Sequence, residues 1–170
     1  PEDKWGAATV CAPWTVRRLV AHLAALGNQA LPDVARRMIA TGFNFQKVVD
    51  GDLQKYLTTK DDMLAKLTSS IASPTTPKML NEVALGEFMV HGEDIRRARG
   101  DRGEHPSEHV AAIGAMYATA KKPLNGRVRT QGLSLRATDG DFTWGQGPEV
   151  AGPGIDLLLA ASGRAEALDH

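Results

Sequence analysis

Apolar residues recur every three or four positions from Val16 to Tyr117, and from Leu133 onward they alternate instead. The first pattern belongs to helices that bury one face, the second to strands. A chain with this change of period is expected to fold into a mainly α-helical bundle followed by a small α/β appendage. Helices are legible at several places. Over 15–26, Thr15 is a good N-cap, Val16, Leu19, Val20, Leu23 and Leu26 form a stripe, and Gly27 is a stop. Pro32 opens a second helix to residue 40 from its first turn. A third spans 43–57, weakened by Val48, Val49 and Gly51. Thr59 and Asp62 have capping-box spacing ahead of Met63, Leu64, Leu67 and Ile71. The run 73–77 reads as a loop. The stretch 80–99, closed by Gly100, is the clearest helix, and Pro106 opens another that carries Val110, Ile113 and Tyr117 and ends before Pro123.

In the tail, Leu133, Leu135 and Ala137 alternate with Ser134, Arg136 and Thr138. Asp139-Gly140 is a hairpin turn signal, and Phe142 and Trp144 alternate beyond it. A Gly/Pro-rich loop over 145–154 and a helix over 155–162 complete the reading. The expected division is a helical bundle at 1–123 and an α/β segment at 124–170.

Glu87 and His91 sit four residues apart in the run G-E-F-M-V-H-G-E-D-I-R-R, one turn apart on one helix face. Leu80, Ala84, Phe88 and Ile95 lie on the same stripe. Desolvating two such polar groups costs several kcal/mol unless they are paired or bound. Of the five histidines, His22 shares its side of an amphipathic helix with Leu19 and Leu26 and so points inward. An inward histidine on one helix and an inward Glu–His pair on another can converge inside a bundle, where metal sites are built from facing helices. Two imidazoles and one carboxylate suit zinc or another divalent metal, and three protein ligands leave a position open, as in catalytic zinc sites. Each residue also has an ordinary reading, as a hydrogen-bonded core histidine or a solvated helix pair.

The composition narrows the partners. Twenty basic and twenty acidic residues cancel, which gives no electrostatic reason to expect nucleic acid or an acidic membrane as partner. No run reaches the roughly 18 apolar residues of a membrane span, and the start does not read as a signal peptide. A lone cysteine, Cys11, excludes an internal disulfide framework and fits a reducing, cytoplasmic setting. The chain begins at Pro1 and is expected to be part of a longer product.

The run P-W-T-V-R-R-L-V-A-H-L at 13–23, with G-E-F-M-V-H-G-E-D-I-R-R at 86–97, resembles the metal-binding domain of the mycothiol-dependent maleylpyruvate isomerase family, in the DinB-like helical bundle superfamily. The tail, G-L-S-L-R-A-T-D-G from Gly132 and G-P-G-I-D-L-L-L-A-A-S-G-R from Gly152, resembles part of a sterol-carrier-protein-like C-terminal segment. The resemblance implies that His22, Glu87 and His91 match the family's zinc ligands. It implies mycothiol as cosubstrate and a small-molecule electrophile that is isomerised or S-conjugated. It also implies a helix ahead of the His22-bearing one, expected to lie outside this sequence. DinB-like bundles can form homodimers. A non-catalytic metal-binding or regulatory module and a metal-dependent hydrolase are the alternatives for such a site.

Other candidates are weaker. Asp94, one turn past His91, is positioned either to orient its imidazole or to pair with Arg97. Arg96 and Arg97 could contact an anionic substrate or thiol, although Glu93 has both within helical reach. Cys11 reads as a structural residue near Trp14 rather than as a nucleophile. His105 and His109 have i, i+4 spacing at the exposed start of a helix. The glycines of 145–154 lack the phosphate-loop pattern, and Asp139-Gly140-Asp141 lacks the rest of a calcium loop.

Overall fold

The computed structural model describes residues 4–72, 81–122 and 124–168. The expected loop at 73–77, the stripe residue Leu80, the side chain of Ile71, the boundary residue Pro123 and His170 lie outside those residues. The chain divides into two compact units, Pro1–Asp101 and Arg102–His170. Among the described residues, no helix is long and apolar enough to cross a membrane.

The first unit is helical: α1 (Val16–Gly27), α2 (Leu31–Ala40), α3 (Phe45–Tyr56), α4 (Lys60–Ala72) and α5 (Asn81–Ala98). Thr15 caps α1 by accepting a hydrogen bond from the Arg18 amide, and Asn44 does the same for α3 from Lys47. Thr59 accepts from the Asp62 amide at 3.3 Å, but the Asp62 carboxylate turns to Thr58 and Lys66, so only half of a capping box forms. α1 packs against α3, α4 and α5. It buries Val16, Leu19, Val20, Ala21, Leu23, Ala24 and Ala25, of which Val16, Val20, Ala21, Ala24 and Ala25 form a core cluster with Val49, Leu53, Tyr56 and Met63. Its run of alanines lets neighbouring helices come close. Gly27 carries this furthest, because a Cβ there would overlap the side chain of Ser70 on α4. α2 has no fully buried residue, and Leu31, Ile39, Phe43 and Phe45 in and beside it are exposed.

The second unit holds α6 (Ser107–Thr119), α7 (Gly126–Thr130), a sheet of β1 (Ser134–Ala137), β2 (Thr143–Gly145) and β3 (Glu149–Gly152), and α8 (Gly154–Ala161). The strand order is β2-β1-β3. β1 and β2 form the expected hairpin, with Leu135 opposite Trp144. β3 lies in what the sequence reads as loop. It pairs parallel to β1, with Leu135 opposite Val150, and Arg136 binds Glu149 across the pair at 3.0 Å. Glycine and proline flank its single large apolar residue, so its strand character comes from the partner rather than from local period. The connection from β2 crosses the start of β1, where a Cβ on Gly147 (φ +135°) would overlap the Gly132 carbonyl oxygen. α6 packs against α7 and α8. By their contacts the two compact units separate after Asp101, ahead of α6. Helical period shows that α6 has a buried face and is silent about which neighbour covers it.

The Gly27–Ser70 approach has a measurable consequence. Gly27→Val should lower unfolding free energy by about 1–3 kcal/mol, as overpacking does. Urea denaturation reads it, and an unchanged midpoint would mean that α1 and α4 are further apart at this point.

Candidate metal centre

α1 and α5 face one another, and His22 meets Glu87 across their contact. His22 Nε2 lies 3.1 Å from Glu87 Oε2, and the same oxygen lies 3.4 Å from His91 Nε2. The three side chains are mostly covered, with 13%, 26% and 14% of their surface exposed for His22, Glu87 and His91. Leu19, fully buried one turn before His22, holds that face of α1 inward. The structure thus brings together the three residues that the sequence singles out, and their donor atoms all lie within 4.8 Å of one another.

His91 is oriented from behind. Its Nδ1 donates to Asp94 Oδ2 at 2.9 Å, and Asp94 is fully buried. With Asp94 as acceptor, Nδ1 carries a proton and Nε2 faces Glu87. Arg97 Nε donates to Glu93 Oε1 at 3.1 Å, and Arg96 lies 3.9 Å from the other Glu93 oxygen. Both arginines are therefore engaged with a fully buried glutamate. His105 precedes α6, and His109 is exposed on its first turn, so the two do not share a helix.

Three further side chains beside the trio are not assigned to it from the sequence. Residues 8–15 form a tight turn, with Ala8 bridged to Thr15, Thr9 N donating to Trp14 O at 3.0 Å, and Trp14 N donating to Cys11 O at 2.9 Å. The turn sets the Trp14 ring edge-on to His22, with centroids 5.3 Å apart, and parallel to His91 at 6.3 Å. It also brings the Cys11 sulfur within 4.8 Å of donor atoms on His91 and Asp94. Arg18 lies over the Trp14 face at 5.6 Å, and its Nε is buried without a hydrogen bond. A usable signal exists for Arg18, which precedes His22 by one helical turn. None exists for Cys11, whose placement depends on a non-helical turn.

The donor set fits a zinc-type ion. Tetrahedral coordination with bonds of about 2.0–2.2 Å places ligand atoms roughly 3.3–3.5 Å apart. Of the observed separations, 3.4 Å lies within that range and 3.1 Å just below it. Nitrogen and carboxylate oxygen are donors that zinc accepts.

Charge is already arranged around Glu87. Burial opposes its ionisation, but hydrogen bonds with His22 and His91 outweigh burial and hold its carboxyl well below the usual range. Burial likewise opposes a charged His91, but hydrogen bonds with Asp94, Cys11 and Glu87 outweigh it and push His91 well above its ordinary value.

These shifts give the metal-free protein a definite pH response. The lowered Glu87 contributes stability that is present above its ordinary value of 4.5 and is lost as pH falls below it. The raised His91 contributes stability that is full below its ordinary value of 6.5 and is lost as pH rises beyond it. In chelator, the melting-temperature gap between wild type and Glu87→Gln should be widest between these two values and narrow on either side. A gap that keeps widening above neutral pH would show that His91 is uncharged in the metal-free protein.

Residues 1–120 match the family model described as the mycothiol maleylpyruvate isomerase N-terminal domain. No curated protein and no solved structure matches the chain. The match runs from the N-terminal turn through α6 and includes His22, Glu87 and His91. It ends before β1, so the sterol-carrier likeness of the tail rests on its sequence alone. The chain belongs to the mycothiol maleylpyruvate isomerase N-terminal domain family.

Proposed function

We propose that the chain binds a divalent metal, zinc in the first instance, through His22, Glu87 and His91, and uses mycothiol to isomerise or S-conjugate an electrophilic small molecule. The observation that carries this reading is the trio itself. Donor atoms from two facing helices converge within 4.8 Å, and the second nitrogen of one histidine is tied to a fully buried carboxylate. Family membership supports mycothiol as the thiol.

A zinc ion held by His22, Glu87 and His91 would supply a Lewis acid able to make a nearby thiol acidic enough to ionise near neutral pH. The chain's residues prepare the rest. Glu87 is ionised throughout the working range and offsets cationic charge. Asp94 fixes the His91 tautomer and raises the basicity of Nε2. Trp14 covers one face of His91 and shields it from water. In isomerisation a thiolate adds to an electrophilic carbon, a bond rotates and the thiol leaves, whereas in conjugation the new C–S bond persists. Arg96 and Arg97, considered from the sequence as substrate or thiol contacts, are held by Glu93, which supports a pairing role for them.

Purified protein should carry about one zinc per chain, and His91→Ala should lose both metal and mycothiol-dependent turnover. Zinc retained at full stoichiometry in that variant would remove His91 from the ligand set. Zinc without thiol-dependent turnover on any of a panel of electrophiles would favour a non-catalytic module, and turnover without added thiol would favour a hydrolase. Asp94→Asn tests the orienting role separately. It should weaken zinc binding by about 10–100-fold, as loss of such outer partners does, with equal affinity overturning that role.

A further inference from the structure

Arg18 begins the turn of α1 that ends at His22, so the two share a helix face, with Cβ atoms about 5–6 Å apart. Helical side chains lean toward the N-terminus, which carries the Arg18 guanidinium back over the Trp14 ring, 5.6 Å from its centroid. The same ring lies against both imidazoles of the trio, with centroids 5.3 Å from His22 and 6.3 Å from His91. The guanidinium therefore sits beside the trio, placed there by an aromatic face. Among the described residues it has no carboxylate partner, and its Nε is the one buried side-chain nitrogen or oxygen that lacks a hydrogen bond. A buried donor left unmade is costly, and in a native structure such an atom points to an acceptor that binds there. Neighbouring arginines differ. Arg17 donates to Thr58 O at 3.0 Å, Arg36 pairs with Asp33, Arg37 with Asp52 and Arg97 with Glu93.

We infer that Arg18 is the residue that recognises a carboxylate on the molecule handled at the metal centre. The inference deepens the proposed function and rests on it for the electrophile, while the anion site rests on Arg18 and Trp14 alone. Nε and the Nη on the same edge form a fork whose two N–H groups match the two oxygens of a carboxylate. Stacking on Trp14 presets that fork, so little side-chain freedom is lost on binding. One guanidinium balances one negative charge, which a carboxylate carries and a phosphate dianion exceeds. The carboxylates of the centre, Glu87 and Asp94, are each bonded to an imidazole, which leaves the guanidinium to an incoming anion. A mainly apolar cavity of about 180 Å³, walled in part by His22, Glu87 and Leu26, opens on the other side of the trio. Arg18 is one turn before His22 and Leu26 one turn after it. Along α1 the trio thus stands between a cationic end and an apolar chamber. A short unsaturated acid fits this order, with its carboxylate on Arg18 and its electrophilic carbon beside the trio.

Crotonate and crotonamide share a carbon skeleton and differ in charge, which makes them suitable probes. Each is titrated into the full chain as purified, and the Arg18 Nε–H signal, assigned by its loss in Arg18→Lys, is followed by proton–nitrogen NMR. Crotonate should shift that signal, and crotonamide should leave it in place. Arg18→Gln should weaken crotonate binding about fivefold or more and leave crotonamide binding unchanged. Arg18→Lys keeps the charge but loses the fork, so its crotonate affinity should fall between the two. Any coordination of crotonate to a metal contributes in all three chains, so the ratios report Arg18 itself. Inorganic phosphate should bind more weakly than crotonate. An unmoved Nε–H signal, equal crotonate affinity in wild type and Arg18→Gln, or phosphate binding as tight as that of crotonate would each overturn the inference. Zinc content is measured independently. A chain that holds zinc but binds crotonate without regard to Arg18 keeps the metal centre and loses this inference, whereas Arg18-dependent binding in a chain that holds no zinc does the reverse.

Discussion

One carboxylate oxygen, Glu87 Oε2, lies within 3.4 Å of imidazole nitrogens from both His22 on α1 and His91 on α5. The architecture around the site follows from keeping that oxygen partnered. A carboxylate on a core-facing stripe costs several kcal/mol unless it is hydrogen-bonded or neutralised, so α1 and α5 have to lie close and in a fixed register. The alanines of α1 allow that closeness. Asp94 fixes the rotation of the His91 ring, and Trp14 fills the space above it. Each of these residues restrains a neighbour of Glu87, and the three donor atoms lie within 4.8 Å of one another.

The same two helices that hold the trio also build the apolar chamber next to it. Leu26 is one turn beyond His22, and Ala84 is one turn before Glu87. A polar end and an apolar body therefore lie on continuous helix faces. α2 and α3 close the other side, and the poor burial of α2 leaves Leu31 and Phe45 exposed at the cavity wall.

Much of the helical unit was legible from local pattern. Thr15 and Asn44 cap their helices through their own side chains, and Leu19 and Leu26 reveal which way His22 points. The i, i+4 spacing of Glu87 and His91, and the i+3 position of Asp94, are helix geometry alone. Three features were not legible. Cys11 reaches His91 through a turn without period. β3 owes its strand form to the adjacent β1. α6 belongs with α7 and α8, although its stripe resembles those of the first unit.

The sequence by itself determined which faces are buried and which polar groups those faces carry, because side-chain periodicity follows from backbone geometry within a few residues. Tertiary structure alone decided which faces meet. The Glu87–His91 pair is a common helical spacing with an ordinary explanation until α1 brings His22 within 3.1 Å of it. That meeting depends on packing between residues 65 positions apart, and local period carries no information over that distance.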